Sequence, residues 1–198
     1  MIPRRPLFIA CLFGVPTPAL AQSTPTGVVE GFHARLIETM RNAAALGVRG
    51  REQLLRPAME AAFDLPAMAR IAIGPAWAGL PPAEQQALAR AFADWSIANY
   101  AKQFNGFGGE SFSTLGESAL ASGDRLVRTQ LNRPDDTPVA LSYLLRGSGG
   151  GWRIVDVYLA GTISELASRR AEFTALLREG GADRLLADLR VRTAALLR

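Results

Sequence analysis

The carboxylate of Asp156 stands in the middle of an apolar run, Gly-Trp-Arg-Ile-Val-Asp-Val-Tyr-Leu, residues 151–159. Burial in such surroundings raises a carboxyl pKa, and a raised carboxyl can work as a general acid or base. The same group can instead be a structural pin, satisfied by Arg128, Arg146 or Tyr143 from neighbouring strands. Alternation along the run puts Trp152, Ile154, Asp156 and Tyr158 on one face and Val155, Val157 and Leu159 on the other. Both faces are apolar, the pattern of a strand covered on both sides.

Other chemistry finds less support. His33 is the only histidine, and it falls on the flank of a helical stripe. No Gly-x-Ser-x-Gly accompanies it, so a nucleophilic triad has no anchor. Cys11 is the only cysteine, and no carboxylate pair at helical ligand spacing accompanies the histidine, which argues against a metal site. The glycine-rich stretches at 106–109 and 147–151 lack the Lys-Ser/Thr ending of a phosphate loop. Neither lies between a strand and a helix, so they read as connections. The sequence thus predicts no cofactor and no metal.

The elements that must position Asp156 follow from periodicity. Val29, Phe32, Leu36 and Met40 recur at helical steps up to Gly47. Residues 51–62 form a second helix bent at Pro57, and Asp64 caps a third with Pro66 in its first turn. Pro81–Glu84 opens the longest helix, with Leu88, Phe92 and Trp95 on one stripe and Tyr100 and Phe104 on the next. From Ser111 the period becomes two, giving four strand-like runs over about 111–160, joined by short turns. Thr162 and Glu165 match a capping box for a following helix. Gly180-Gly181 ends that helix, and Asp183 caps the last one. The expectation is an α+β fold with a curved four-stranded antiparallel sheet and about six helices, including a helical subdomain over about 28–107 and C-terminal helices over about 162–197.

Residues 1–21 combine a basic start, an apolar run broken by Pro16 and Pro18, and an Ala-Leu-Ala end, the layout of a cleaved signal peptide. Residues 22–27 form a polar leader, and 28–198 form a single domain. Removing residues 1–21 takes away Arg4, Arg5 and Cys11 and lowers the formal charge from +4 to +2. With so small a charge and no basic run, nothing marks a nucleic-acid partner.

Aromatic side chains are concentrated where the long helix would cover the sheet: Phe92, Trp95, Tyr100, Phe104, Phe107, Phe112, Tyr143, Trp152 and Tyr158. All but Phe107, together with the aliphatic Ile154, are the candidate lining residues. They are either plain core or the lining of an apolar cavity between helices and sheet.

Three segments carry a resemblance. Phe63-Asp64 with Gly74 and Trp77, then Gln85-Gln86 with Phe92 and Tyr100, then Trp152–Val157 with Gly161 and Ser164, resemble the toluene-tolerance, or MlaC-like, family of periplasmic lipid-binding proteins. The similarity runs from about Val28 to the C-terminus. The spacing Gly161-Thr162-Ile163-Ser164, followed by Glu-Leu-Ala-Ser-Arg-Arg-Ala-Glu-Phe, is similar to the hopanoid-associated branch called HpnM. The resemblance implies a sheet like that of nuclear transport factor 2, a lipid ligand (hopanoid or phospholipid) held by the aromatic residues above, and no catalysis. It also implies partners in an inner-membrane lipid transporter complex and an outer-membrane complex, with Asp156 as a structural polar residue. The alternatives are an enzyme on the same fold using Asp156, and a ligand-free periplasmic adaptor.

Overall fold

The computed structural model describes residues 23–134 and 136–198. The expected signal peptide lies outside the described residues. Helix α1 spans Pro25–Arg41, and the Thr24 side chain caps it by accepting from the Gly27 amide at 3.0 Å. Because Thr24 supplies that acceptor, the helix begins inside the segment expected to be a leader.

Helix α2, Ala43–Ala62, follows a turn at Asn42 and is interrupted at Gly47 (φ 59°, ψ 179°) rather than at Pro57. That backbone region belongs almost solely to glycine. Between α2 and α3 (Leu65–Ile73) the chain touches the sheet: Phe63 bridges Ile154, and the Asp64 amide donates to the Ile154 carbonyl at 2.9 Å. The Asp64 side chain then caps α3 through the Ala67 amide, as its position predicts. A 3-10 turn over Gly74–Gly79 leads to α4, Pro82–Gln103.

The sheet is an antiparallel meander of β1 (Ser111–Ala119), β2 (Arg125–Arg133), β3 (Asp136–Ser148), β4 (Gly151–Leu159) and β5 (Ile163–Ser164). It has five strands where four were expected. Ala160 and Gly161 both take positive φ, so the chain turns back tightly and Ile163–Ser164 pair with Leu159–Tyr158. Ser164, not Thr162, therefore becomes the cap of α5, accepting from the Ala167 amide at 3.0 Å. Helix α5, Glu165–Leu196, replaces the two expected C-terminal helices, so the described residues hold five α-helices rather than six. Gly180 and Gly181 are non-helical and kink it where the break was expected, but the second segment follows without an intervening loop, and no described hydrogen bond makes the Asp183 side chain its cap.

Register slips occur in β1–β2, β2–β3 and β3–β4, and bulges are a general means of bending strands. The last slip matters for function. Leu144 faces Asp156 while Leu145 faces Ile154, so Val155 is an extra residue and side-chain parity changes across it. The simple alternation expected for residues 152–159 therefore fails. Ile154 and Val157 belong to the same core cluster, whereas Asp156 is hydrogen-bonded to Ser164 and the Leu166 amide at the start of α5.

The core fills the space between the sheet and the helices. Helix α1 packs on β1, β2 and β4, while α2, α3 and α5 reach β4. Helix α4 packs mainly on α2, α3 and α5 rather than on the strands. The longest uninterrupted helix thus stands off the sheet it was expected to cover.

Candidate functional site

Asp156 is 6% exposed and its partners are local. One carboxylate oxygen accepts from the Val157 amide at 2.8 Å and makes a long contact to the Leu166 amide at 3.5 Å. The other accepts from the Ser164 hydroxyl at 2.5 Å. Burial raises its pKa, and these three hydrogen bonds pull it back. None of the partners expected from sequence is used: Arg146 binds Asp124 in bidentate fashion at 3.0 and 2.8 Å, Arg128 donates to Ser118, and Tyr143 pairs with His33. What Asp156 does is tie β4 to the cap of α5, because Ser164 both donates to it and caps the helix.

The other residues of the resemblance build the same corner. Gly74 (φ 72°) sits where an added Cβ would meet the Arg170 side chain at 3.4 Å, and Arg170 donates to the Ile71 carbonyl at 3.0 Å. Gln85 donates to the carbonyls of Trp77 and Leu80, both at 3.0 Å, holding the 3-10 turn to α4. The recurring pattern of residues thus fixes α3, α4 and α5 around β4.

The standoff of α4 leaves a cavity of about 120 Å³. Its walls come from α2 and α3 (Met59, Met68, with Phe63 between them), from α4 and its C-cap (Phe92, Trp95 and Tyr100, then Phe104) and from the sheet (Leu141, Tyr143, Val157, Leu159). Leu166 of α5 completes the apolar surface. Met59, Phe63, Phe92, Tyr143 and Val157 are buried, so they form the inner end. Ser96, Asn99, Gln103, Glu165 and Arg169 are partly or fully exposed and line the mouth.

Five of the nine aromatic and aliphatic candidates, Phe92, Trp95, Tyr100, Phe104 and Tyr143, meet around this cavity. The other four lie elsewhere. Phe112 stacks on the His33 ring, with centroids 3.8 Å apart. Trp152 lines a separate groove formed with α1 and α2. Ile154 is wholly buried in the core beside Phe63, and Tyr158 has no place in the cavity wall. The extra residue at Val155 explains Tyr158, since it brings Val157 and Leu159 to the wall in place of Asp156 and Tyr158.

The sequence did not mark Met59, Leu65 and Met68 as lining, and it marked Phe63 only through the resemblance. The four-residue step from Met59 to Phe63 and the three-residue step from Leu65 to Met68 were the available signal. Glu165 and Arg169, one turn apart at the mouth, carried no signal of their own.

Below the inner end lies a polar contact that periodicity alone did not reveal. His33 is buried rather than flanking, and its Nε2 lies 2.9 Å from the Tyr143 hydroxyl. Burial lowers its pKa to about 4, which keeps the ring neutral. Burial likewise raises Tyr143 and, with the help of the Glu165 charge, Tyr100. The two phenols therefore stay neutral, and the cavity is an uncharged apolar chamber with charge confined to its mouth.

A family model described as "MlaC protein" matches residues 30–191. Among solved structures, the chain is similar to the phospholipid-binding protein from Ralstonia solanacearum in complex with a phospholipid. The two share 22% sequence identity over 90% of this chain and 100% of that one, with a TM-score of 0.77. At that identity the likeness is one of fold. Comparison with curated proteins found no match.

Proposed function

The chain belongs to the MlaC protein family, and from that premise we propose that it is a lipid-binding carrier that shuttles a phospholipid or hopanoid between membranes. The observation that carries this reading is the neutral, largely apolar cavity between α4 and the sheet, with polar groups gathered only at its mouth. The similar fold of a protein solved with a phospholipid supports it. Lipid tails have no favourable place in water, and each methylene withdrawn from it is worth about 0.8 kcal/mol. A dry chamber can therefore extract a lipid without covalent chemistry. Asp156, the carboxylate whose position in the sequence best suited acid–base work, is held by structural hydrogen bonds outside the cavity wall, which favours binding over turnover.

At about 120 Å³ the chamber is smaller than the roughly 300–1,000 Å³ usual for pockets that hold drug-sized ligands. Loading therefore requires the walls to part. The glycines at 106–109, between α4 and β1, and at 180–181, within α5, are the places where little backbone strain opposes that motion. The signal-peptide layout of residues 1–21 supports export to the periplasm. There the carrier would receive its lipid from an inner-membrane transporter complex and meet an outer-membrane complex at the other end.

The test is to purify the protein from its native compartment under mild conditions, extract it with solvent and identify the lipid by mass spectrometry. A stoichiometric lipid is expected. Val157→Trp, which fills the inner end, should lower the yield at least about tenfold, the equivalent of two lost methylene contacts. A folded wild type that holds no lipid and takes none from vesicles would overturn the proposal.

A further inference from the structure

The mouth of the cavity carries an arginine whose hydrogen-bonding capacity the fold leaves unused. Arg169 lies over the Trp95 indole, its guanidinium carbon 5.2 Å from the ring centroid. Its Nε is buried and has no hydrogen-bond partner. The nearest carboxylate, Glu172, is 3.9 Å away and is already hydrogen-bonded by Arg192, which lowers the Glu172 pKa. A desolvated donor without an acceptor costs free energy, and such groups in folded proteins generally have a partner that remains to be found. Stacking on the indole also fixes the plane of the guanidinium, so little further ordering is needed when an acceptor arrives.

One turn before it on α5, Glu165 lines the same mouth. A glutamate four residues ahead of an arginine is the favourable order for an ion pair along a helix. Here the described ion pairs of Arg169 and its neighbours do not include Glu165, because the guanidinium is laid against Trp95 instead. The mouth thus presents a cation and an anion side by side above an apolar chamber, the cation with only the long 3.9 Å contact to Glu172 and the anion in none of the described ion pairs. Ser96 and Asn99 of α4 line the same cavity.

We propose that this mouth is a headgroup site for a zwitterionic phospholipid, Arg169 taking the phosphodiester through its planar fork and Glu165 taking a primary ammonium a short linker away. The inference rests on the lipid-carrying reading and gives it a substrate class. A headgroup with phosphate but no ammonium would set a negative charge beside Glu165 without compensation. An uncharged polycyclic lipid would leave both side chains unmatched.

The experiment offers the protein vesicles containing equal amounts of ethanolamine-headed and glycerol-headed phospholipids with the same acyl chains, together with a hopanoid. Bound lipid is then extracted and counted by mass spectrometry. Wild type should enrich the ethanolamine lipid over the glycerol lipid about tenfold, the size of one charge-assisted hydrogen bond. Glu165→Gln should abolish that enrichment while keeping total uptake. Arg169→Gln should remove the preference of phosphate-bearing lipid over hopanoid, and Arg169→Lys should restore it in part. Because the wild-type ratio alone decides the matter, a variant that fails to fold does not shield the proposal. Uptake by wild type in proportion to vesicle composition, or in favour of the glycerol lipid or hopanoid, overturns the headgroup site and leaves the carrier reading standing. No uptake of any lipid overturns both.

Discussion

A carboxylate buried within a strand is tolerable only when donors surround it, and Asp156 has three, from Ser164, Val157 and Leu166. Asp156→Ala would leave all three without an acceptor, so a loss of about 2–4 kcal/mol in urea unfolding is expected, since each orphaned buried group costs about 1–3 kcal/mol. Asp156→Asn keeps one carbonyl oxygen for the two amides and should cost only about 1 kcal/mol. Equal losses in the two variants would mean that charge, not hydrogen bonding, makes the pin. His33 allows a sign to be worked out. Its folded pKa of about 4 lies below the unfolded value of 6.5, so between those values the unfolded chain binds a proton that the native chain refuses. Its contribution is therefore complete above pH 6.5 and is lost as pH falls towards 4, a total of about 3 kcal/mol at roughly 1.4 kcal/mol per unit. Asp156, with its raised pKa, acts in the opposite direction. Replacing His33 by Gln, which can still bond the Tyr143 hydroxyl, should flatten the decline between pH 7 and pH 5 in chemical denaturation. Parallel declines in the two proteins would assign the acid sensitivity to other groups.

At the scale of elements, the helices were legible because their apolar stripes repeat at three and four residues, and Asp64 and Pro66 marked the start of α3 as expected. Boundaries moved wherever several residues could cap. Thr162 and Ser164 both offer a hydroxyl, and the choice fell to Ser164 because β5 pairs with β4 and Asp156 holds that side chain. The partners are close in sequence, but the choice depends on the tight turn at Ala160 and Gly161, and nothing in the period-two pattern marks a two-residue strand beyond it. Gly181 offers a test of the break in α5. Its φ of 65° and ψ of −160° fall in a region essentially reserved for glycine, yet an added Cβ would touch nothing within 4 Å. Gly181→Ala should therefore report backbone strain alone, about 1–3 kcal/mol, seen as a melting temperature lower by about 2–4 °C per kcal/mol. An unchanged melting temperature would show that the two halves of α5 can be joined in another geometry at no cost.

For the whole molecule, the sequence by itself determined the α+β class, the order of helices before strands, and the pool of aromatic residues from which a cavity could be built. Those properties depend on local periodicity and composition, which a short window records. Only the tertiary structure decided which of those residues meet. An extra residue at Val155 exchanged the two faces of β4, so Val157 and Leu159 reach the cavity while Asp156 turns to the cap of α5. Likewise, α4 carries the expected stripe, but α2, α3 and α5 hold it away from the strands, and that separation is the cavity. A bulge arises from competition between the registers of two paired strands, and a standoff from the packing of three helices at once. Neither exists until distant segments of the chain are in contact, which is why periodicity could name the lining's residue types but not its members.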